Sequence, residues 1–237
     1  MKKSFTLLEL IFVIIIIGVL AVFALPKLRK NNLPKAAAQL ISHIRYTQHL
    51  AMIDDKFNSS TGTNWYQSRW RISFSKSLTD TNNKYAYTIF SDTAGGSAGN
   101  PDPQEVAINP LDKNKKLTGG AAGASMIHTG DSIATNEMNI GEEYDVLDVD
   151  FSANCRTGTT SKTIAFDHIG RPIRGALSNF DSAYHSSSTG TNILISGQCV
   201  IDLCSVSDCK AANVDEIISI AIEPESGYVH LLKYLNK

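Results

Sequence analysis

The segment FTLLELIFVIIIIGVLAVFAL, residues 5–25, decides the fold because it is almost entirely apolar and holds a single carboxylate, Glu9. A bilayer-spanning helix needs about 20 mostly apolar residues, and a charge inside one is costly enough to indicate a specific partner. Glu9 follows Phe5 by four residues, so both lie on one face of a helix. We therefore predict a transmembrane helix over 5–25 in which Glu9 has a function.

A cleaved secretory signal or a plain membrane anchor is the alternative interpretation of this segment. A secretory signal has an apolar core of about 7–15 residues and a small-residue cleavage site. Here the run from Leu10 to Leu25 has 16 residues without a polar side chain, and Pro26 and a cationic stretch follow directly. A plain anchor would have no reason to keep Glu9.

The first residues resemble the processing signal of type IV pilins and type II secretion pseudopilins: a Lys-bearing leader, residues 1–4, and then Phe5-Thr6-Leu7-Leu8-Glu9. The resemblance implies that a prepilin peptidase cuts between Ser4 and Phe5 and methylates the new amino terminus. Ser4 stands where the family usually has glycine. The resemblance also implies a single-pass protein of the inner membrane, in contact with its lipid, with the C-terminal domain in the periplasm.

A second helical segment is predicted over residues 26–57 as a continuation of the stalk. Pro26 removes an internal hydrogen bond, Asn32 can cap a new helix, and Pro34 is tolerated in its first turn. Apolar residues then recur every three or four positions, which predicts an amphipathic helix to about Asp55 that packs on a sheet. Those residues are Leu33, Ala37, Leu40, Ile41, Ile44 and Ala51. We expect Arg45 and His49 to lie on its solvated face.

From residue 58 to the C-terminus we predict a periplasmic β domain. The period of the apolar residues changes to two, which is typical of half-buried strands. Strands are predicted around residues 70–74, 85–90, 147–151, 163–167, 192–195, 200–203 and 217–222, with a hairpin partner at 228–232. A helix followed by a run of strands indicates an α+β fold, with a long N-terminal helix on a mostly antiparallel sheet.

Two loops interrupt the predicted strands. Residues 91–143 hold half of the chain's 16 glycines, so we expect a long insertion with short strands at most. Residues 181–191 form a second polar loop. Long loops in a compact domain are contact surfaces or disordered segments, and both interpretations stay open.

Charge and cysteine content agree with export. The formal charge is −1 and falls to −3 when Lys2 and Lys3 leave with the leader, so nothing indicates bulk affinity for nucleic acid. In an oxidising periplasm the four cysteines predict two disulfide bonds. Three pairings are possible, and the short spacing of Cys204 and Cys209 favours one bond there and the other between Cys155 and Cys199.

Three later segments narrow the resemblance. Residues 40–51 of the helix, the strand and turn at 163–172, and the segment 220–228 look like the GspH/FimT group of minor pseudopilins and minor pilins. Members of that group are low-copy subunits of a periplasmic filament. The resemblance implies that this chain helps to assemble or cap such a filament, that Glu9 acts in filament assembly, and that other pilin or pseudopilin subunits are partners. A secretion system and a pilus use the same stalk, so that alternative stays open.

Several apparent catalytic or metal-binding motifs are interpreted as chance matches without that function. Gly95-Gly96-Ser97-Ala98-Gly99 fits a hydrolase pattern but lies in the insertion, without the strand and helix that the pattern requires. The histidines lack the spacing of metal ligands on one helix face. Asp145, Asp148 and Asp150 lack the rest of a calcium loop. We predict no catalytic residue, no metal and no cofactor, so the chain is not expected to be an enzyme.

A DNA-binding minor pilin for DNA uptake is the alternative function. Some minor pilins of the FimT type use a C-terminal basic stretch to capture DNA for uptake. In this chain, Arg171 and Arg174 lie in a Gly-Arg-Pro-Ile-Arg-Gly segment. Two arginines in a turn can engage phosphates. The acidic net charge and the flanking Asp167 and Asp181 favour a structural turn instead.

Overall fold

The computed structural model describes residues 7–24, 32–57, 64–93, 100–121, 127–158, 160–175, 177, 180–186 and 191–232. The chain forms two compact units, Met1–Asn32 and Leu33–Lys237. The second helical segment belongs to the second unit, together with the strands.

The first unit contains α1, Leu7–Ala24. Every side chain described in it, from Leu7 to Leu20, is exposed. Among the described residues no helix combines the length and hydropathy needed to cross a membrane. Phe5, Thr6 and Leu25 of the predicted span lie outside the described residues.

The second unit begins with α2, Leu33–Ile53, whose apolar stripe is buried as its spacing predicts. A short helix, α3, spans Ile140–Glu143. The strands are β1 Arg71–Ser75, β2 Ala86–Phe90, β3 Asp148–Phe151, β4 Thr163–Phe166, β5 Pro172–Arg174, β6 His185–Ser186, β7 Thr191–Asn192, β8 Cys199–Cys204, β9 Ile217–Ile222 and β10 Val229–Leu231. Single-turn 3-10 helices lie at Trp65–Ser68, Asn136–Met138, Ala153–Cys155, Cys209–Ala211 and Val214–Glu216.

The strands form two four-stranded antiparallel sheets and a two-stranded ribbon. The first sheet has the order β2-β1-β4-β5, the second has the order β10-β9-β8-β3, and β6 pairs with β7. The prediction of an α+β chain with a mostly antiparallel sheet is confirmed.

One core joins α2 to both sheets. Leu40 and Ile44 of α2 are fully buried with Ile164 of the first sheet and Ile220 of the second. Phe74 and Phe151, from different sheets, meet edge to face with ring centroids 5.5 Å apart. The helix therefore packs on both sheets, which places its remaining face at the surface.

The insertion changes the expected burial of the first sheet. Strand β2 is buried along its whole length, not half-buried, because residues of the insertion cover its outer side. Phe90 packs with Val106, Ile127 and Ala134 in a separate cluster. The hydroxyls of Thr88 and Thr118 lie 2.6 Å apart. The described parts of 91–143 thus form an ordered covering layer.

Arg71 is another departure from the half-buried strand predicted around residues 70–74. Only 1% of the residue is exposed. Its guanidinium donates to the carbonyl oxygen of Gln67 and lies 4.8 Å from the Phe90 ring centroid. Burial lowers the pKa of Arg71 to about 10, although Asp92 and Glu105 raise it in part. Arg71 is a structural cation beneath the insertion.

Candidate interaction surface

The predicted processing residues can be placed only in part. Ser4 and Phe5 lie outside the described residues. Glu9 lies in the first turn of α1, which is otherwise apolar along its described length. The processing prediction therefore rests on sequence.

Gln48 of α2 brings together the three segments that carry the narrower resemblance. Its Nε2 donates to the carbonyl oxygen of Gly170 at 2.8 Å, in the turn between β4 and β5. The same atom donates to the carbonyl oxygen of Ser226 at 2.9 Å, in the turn between β9 and β10. One amide thus holds a hairpin turn of each sheet against the helix.

Glycines make this close approach possible. Gly170 and Gly227 have φ values of +87° and +63°, a conformation that side chains disfavour. A Cβ at Gly227 would lie 2.5 Å from the Gly170 oxygen and 2.6 Å from Gln48 Nε2. The two turns and α2 therefore form a tightly packed unit.

The outward side of α2 forms a continuous stripe. At the angular spacing of an α-helix, its exposed residues fall within an arc of about 100°. We call this stripe the α2 face; it consists of Pro34, Lys35, Ala38, Ser42, Arg45, His49, Met52 and Ile53. The predicted exposure of Arg45 and His49 is confirmed.

Exposed apolar side chains cluster where the α2 face meets the two turns. Met52 of the helix, Ile169 of the first turn and Tyr228 of the second are 53%, 56% and 58% exposed. Arg45 donates to the carbonyl oxygen of Val229 at 2.7 Å, and its guanidinium lies 5.8 Å from the Tyr228 ring centroid. Large side chains are thus held outward on a fixed backbone.

An acidic segment borders the other side of α2. Gln39 Nε2 donates to the carbonyl oxygen of Glu137 at 2.8 Å, and the hydroxyl of Tyr144 donates to Gln39 Oε1 at 2.7 Å. We call residues 136–145 the acidic lobe; its exposed carboxylates are Glu137, Glu142, Glu143 and Asp145. The lobe is therefore attached directly to the helix.

A polar contact beneath this border joins α2 to β2. His43 Nδ1 lies 2.7 Å from the hydroxyl of Tyr87, which also accepts from Gln39 Nε2 at 2.9 Å. Burial lowers the pKa of His43 to about 4, although Glu137 raises it in part. Burial also raises the pKa of Tyr87. Both side chains are thus neutral at physiological pH.

The arginines predicted as DNA contacts are engaged within the chain. Arg171 Nε lies 2.7 Å from Asp167 Oδ2, and Asp167 is fully buried. Arg171 also donates to the Tyr184 hydroxyl at 3.1 Å, and its pKa is raised, chiefly by the bond to Asp167. Arg174 donates to the carbonyl oxygen of Asn192 at 3.0 Å. These bonds weaken the electrostatic basis for binding phosphates.

Both disulfide bonds form, and the prediction of two bonds is confirmed. Cys155 pairs with Cys199, and Cys204 pairs with Cys209, as the spacing favours. Cys199 and Cys204 are the two end residues of β8. The bonds therefore attach a neighbouring loop to each end of that strand.

Asp148 and Asp150, two of the three aspartates that lack the rest of a calcium loop, have partners within the chain. Asp148 accepts from the Tyr85 hydroxyl and from the Cys209 backbone, both at 3.1 Å. Asp150 lies 3.6 Å from Arg156 Nη1. No group of three or more potential metal ligands exists among the described residues. The segment 95–99 lies entirely outside them, so its hydrolase pattern is untested.

Sequence reasoning missed the residues that organise this surface. The local sequence gives no indication of the role of Gln48, because its partners lie 122 and 178 positions away. The nearest usable indication was a glycine in each predicted turn, Gly170 and Gly227.

Comparison of the chain with protein-family models, with curated proteins and with solved structures produced no match.

Proposed function

We propose that this chain is a minor pilin or minor pseudopilin, a structural subunit that helps to assemble or cap a periplasmic filament of a type II secretion or type IV pilus machine. The single observation that carries the proposal is the position of Glu9, a lone carboxylate four residues after Phe5 in an apolar segment. The proposed role is structural, not enzymatic.

The chemistry of Glu9 supports an assembly role. Cleavage before Phe5 would create a cationic amine close to an anionic carboxylate. A charge at the edge of the hydrocarbon is more stable beside an opposite charge than alone. We propose that the carboxylate of an incoming subunit pairs with the amine of a neighbour and so sets the register of the filament.

The second unit supports export to the periplasm. Two disulfide bonds suit an oxidising compartment and are rare in the cytosol. We propose that α1, extended by the adjoining Phe5, Thr6 and Leu25, anchors the chain in the inner membrane. The second unit would then present its loops and the α2 face to other subunits.

Substitution of Glu9 tests this function. We expect Glu9→Leu to leave the second unit folded and the chain in the membrane, because it makes the segment more apolar. Crosslinking to filament subunits should fall at least about tenfold, since loss of a close charge pair typically costs more than 1.4 kcal/mol.

Glu9→Asp is the matched control because it keeps the charge and shortens its reach. It should retain part of the crosslinking. Equal crosslinking of wild type and Glu9→Leu at matched expression would contradict the proposed function. The Glu9 carboxylate would then extend to water at the membrane interface without pairing with a neighbouring subunit.

A further inference from the structure

The α2 face carries positive charge only. Lys35 and Arg45 are exposed on it, and the helix from Leu33 to Ile53 contains no aspartate or glutamate. His49 lies on the same face, one turn after Arg45. A helix face with this composition suits a surface that presents carboxylates.

The acidic lobe has the opposite composition. It contains four exposed carboxylates and no lysine or arginine within residues 136–145. Because Gln39 bonds to the lobe, the negative zone borders the helix that carries the positive one. A molecule with both zones is charge-complementary to a second copy of itself.

Apolar side chains beside the α2 face can supply the contact area that charges alone lack. Met52 and Tyr228 are exposed, and methionine, tyrosine and arginine are enriched at protein interfaces. The bonds of Gln48 and Arg45 hold the supporting turns and strand before a partner arrives. Such preorganisation reduces the entropy lost on binding.

We propose that the α2 face of one copy of this chain binds the acidic lobe of a second copy. The proposal does not depend on the function proposed above, since it uses only the second unit. Binding should weaken when ionic strength rises from about 0.05 M to about 0.5 M, because salt screens exposed charges.

The test uses two charge-reversed forms of the full chain, purified in detergent and carrying two different affinity tags. In the first form, Lys35→Glu/Arg45→Glu, both zones are acidic. In the second, Glu137→Lys/Glu143→Lys/Asp145→Asn, the two new lysines outweigh the remaining Glu142, so both zones are basic. Each form alone should self-associate at least about tenfold more weakly than wild type, because like charges meet.

Mixing the two forms should restore association, because every contact then joins opposite charges. The matched control is Lys113→Glu/Lys115→Glu, which changes the net charge by the same amount as the first form but alters another loop; it should associate like wild type. Thermal unfolding checks the fold of each form. If Arg45→Glu disturbs it, Lys35→Glu/His49→Glu replaces the first form, because the bond from Arg45 to Val229 then remains.

Three results would overturn the proposal: a wild-type chain that does not self-associate, reversed forms that associate like wild type, or a mixture no stronger than its components. Vesicles of phosphatidylglycerol form a separate arm. If wild type bound them through Lys35 and Arg45 without self-association, the α2 face would be a site for anionic lipid and the proposal would be wrong.

Discussion

Gln48 donates a hydrogen bond of 2.8 Å to the carbonyl oxygen of Gly170, across 122 residues of sequence. The bond connects the helix to the first sheet, and its counterpart at Ser226 connects the helix to the second. Because neither sheet alone covers α2, this contact helps to determine where the outward side of the helix lies.

Gly227→Ala should lower the free energy of unfolding by about 2–5 kcal/mol. Left-handed backbone costs an alanine about 1–2 kcal/mol, and the new methyl group would crowd the Gly170 oxygen at an added cost of about 1–3 kcal/mol. Gly158→Ala is the control, because its φ is +74° and nothing lies within 4 Å of the added Cβ. Urea denaturation should show a clearly smaller loss at Gly158; equal losses would contradict the close approach.

The two disulfide bonds should contribute unequally to stability. In the chain-entropy model, the sequence separations of 44 and 5 correspond to about 4 and about 2 kcal/mol. We therefore expect Cys155→Ala/Cys199→Ala to lower the free energy of unfolding more than Cys204→Ala/Cys209→Ala does. Denaturation of both variants under oxidising conditions provides the comparison, and a larger loss for the second pair would contradict it.

Acid should weaken the second unit through His43. Its folded pKa of about 4 lies below the unfolded value of 6.5. The unfolded chain therefore binds more protons between these values, and the stabilising contribution is complete above pH 6.5 and is lost as pH falls to about 4. The shift corresponds to about 3 kcal/mol.

His43→Gln removes this titration while keeping an amide able to contact the Tyr87 hydroxyl. The difference in the free energy of unfolding between wild type and His43→Gln should change with pH between 4 and 6.5. A difference independent of pH would show that His43 titrates normally in the folded chain.

Arg171→Ala should act on stability, not on DNA binding. It would leave the buried Asp167 carboxylate without its ion pair, at a cost of about 1–2 kcal/mol given that Arg171 is partly exposed. Arg174→Ala is the milder control, because Arg174 donates to a backbone carbonyl. In gel-shift assays across a salt series, neither variant should change DNA affinity; a uniform loss of affinity would favour the DNA-binding alternative.

The elements predicted correctly from sequence are those in which the order of apolar and polar residues reflects which residues are buried. Strand β9, Ile217–Ile222, matches its predicted range, and β8 differs by one residue at each end. The apolar spacing of α2 predicted its buried stripe for the same reason. Helix α2 and strand β8 use mainly one face for the core, so periodicity describes them well, whereas β9 is buried at the four consecutive residues 219–222.

Other features depend on contacts between distant segments and could not be predicted in this way. Strand β2 is buried on both sides because the insertion covers it, which no pattern inside Ala86–Phe90 indicates. Arg71 is buried for the same reason. Gln48 bonds to two turns that are distant from it in sequence, so the residues around Gln48 do not indicate its role.

The most direct test of the central claim is the intact mass of the chain isolated from membranes of cells that contain a prepilin peptidase. Our account predicts a chain that begins at Phe5 and carries a methyl group on its amino terminus, because residues 1–4 act as the leader and Glu9 requires a new amine nearby. A chain that still begins at Met1, or one cut within or after the apolar segment, would contradict it.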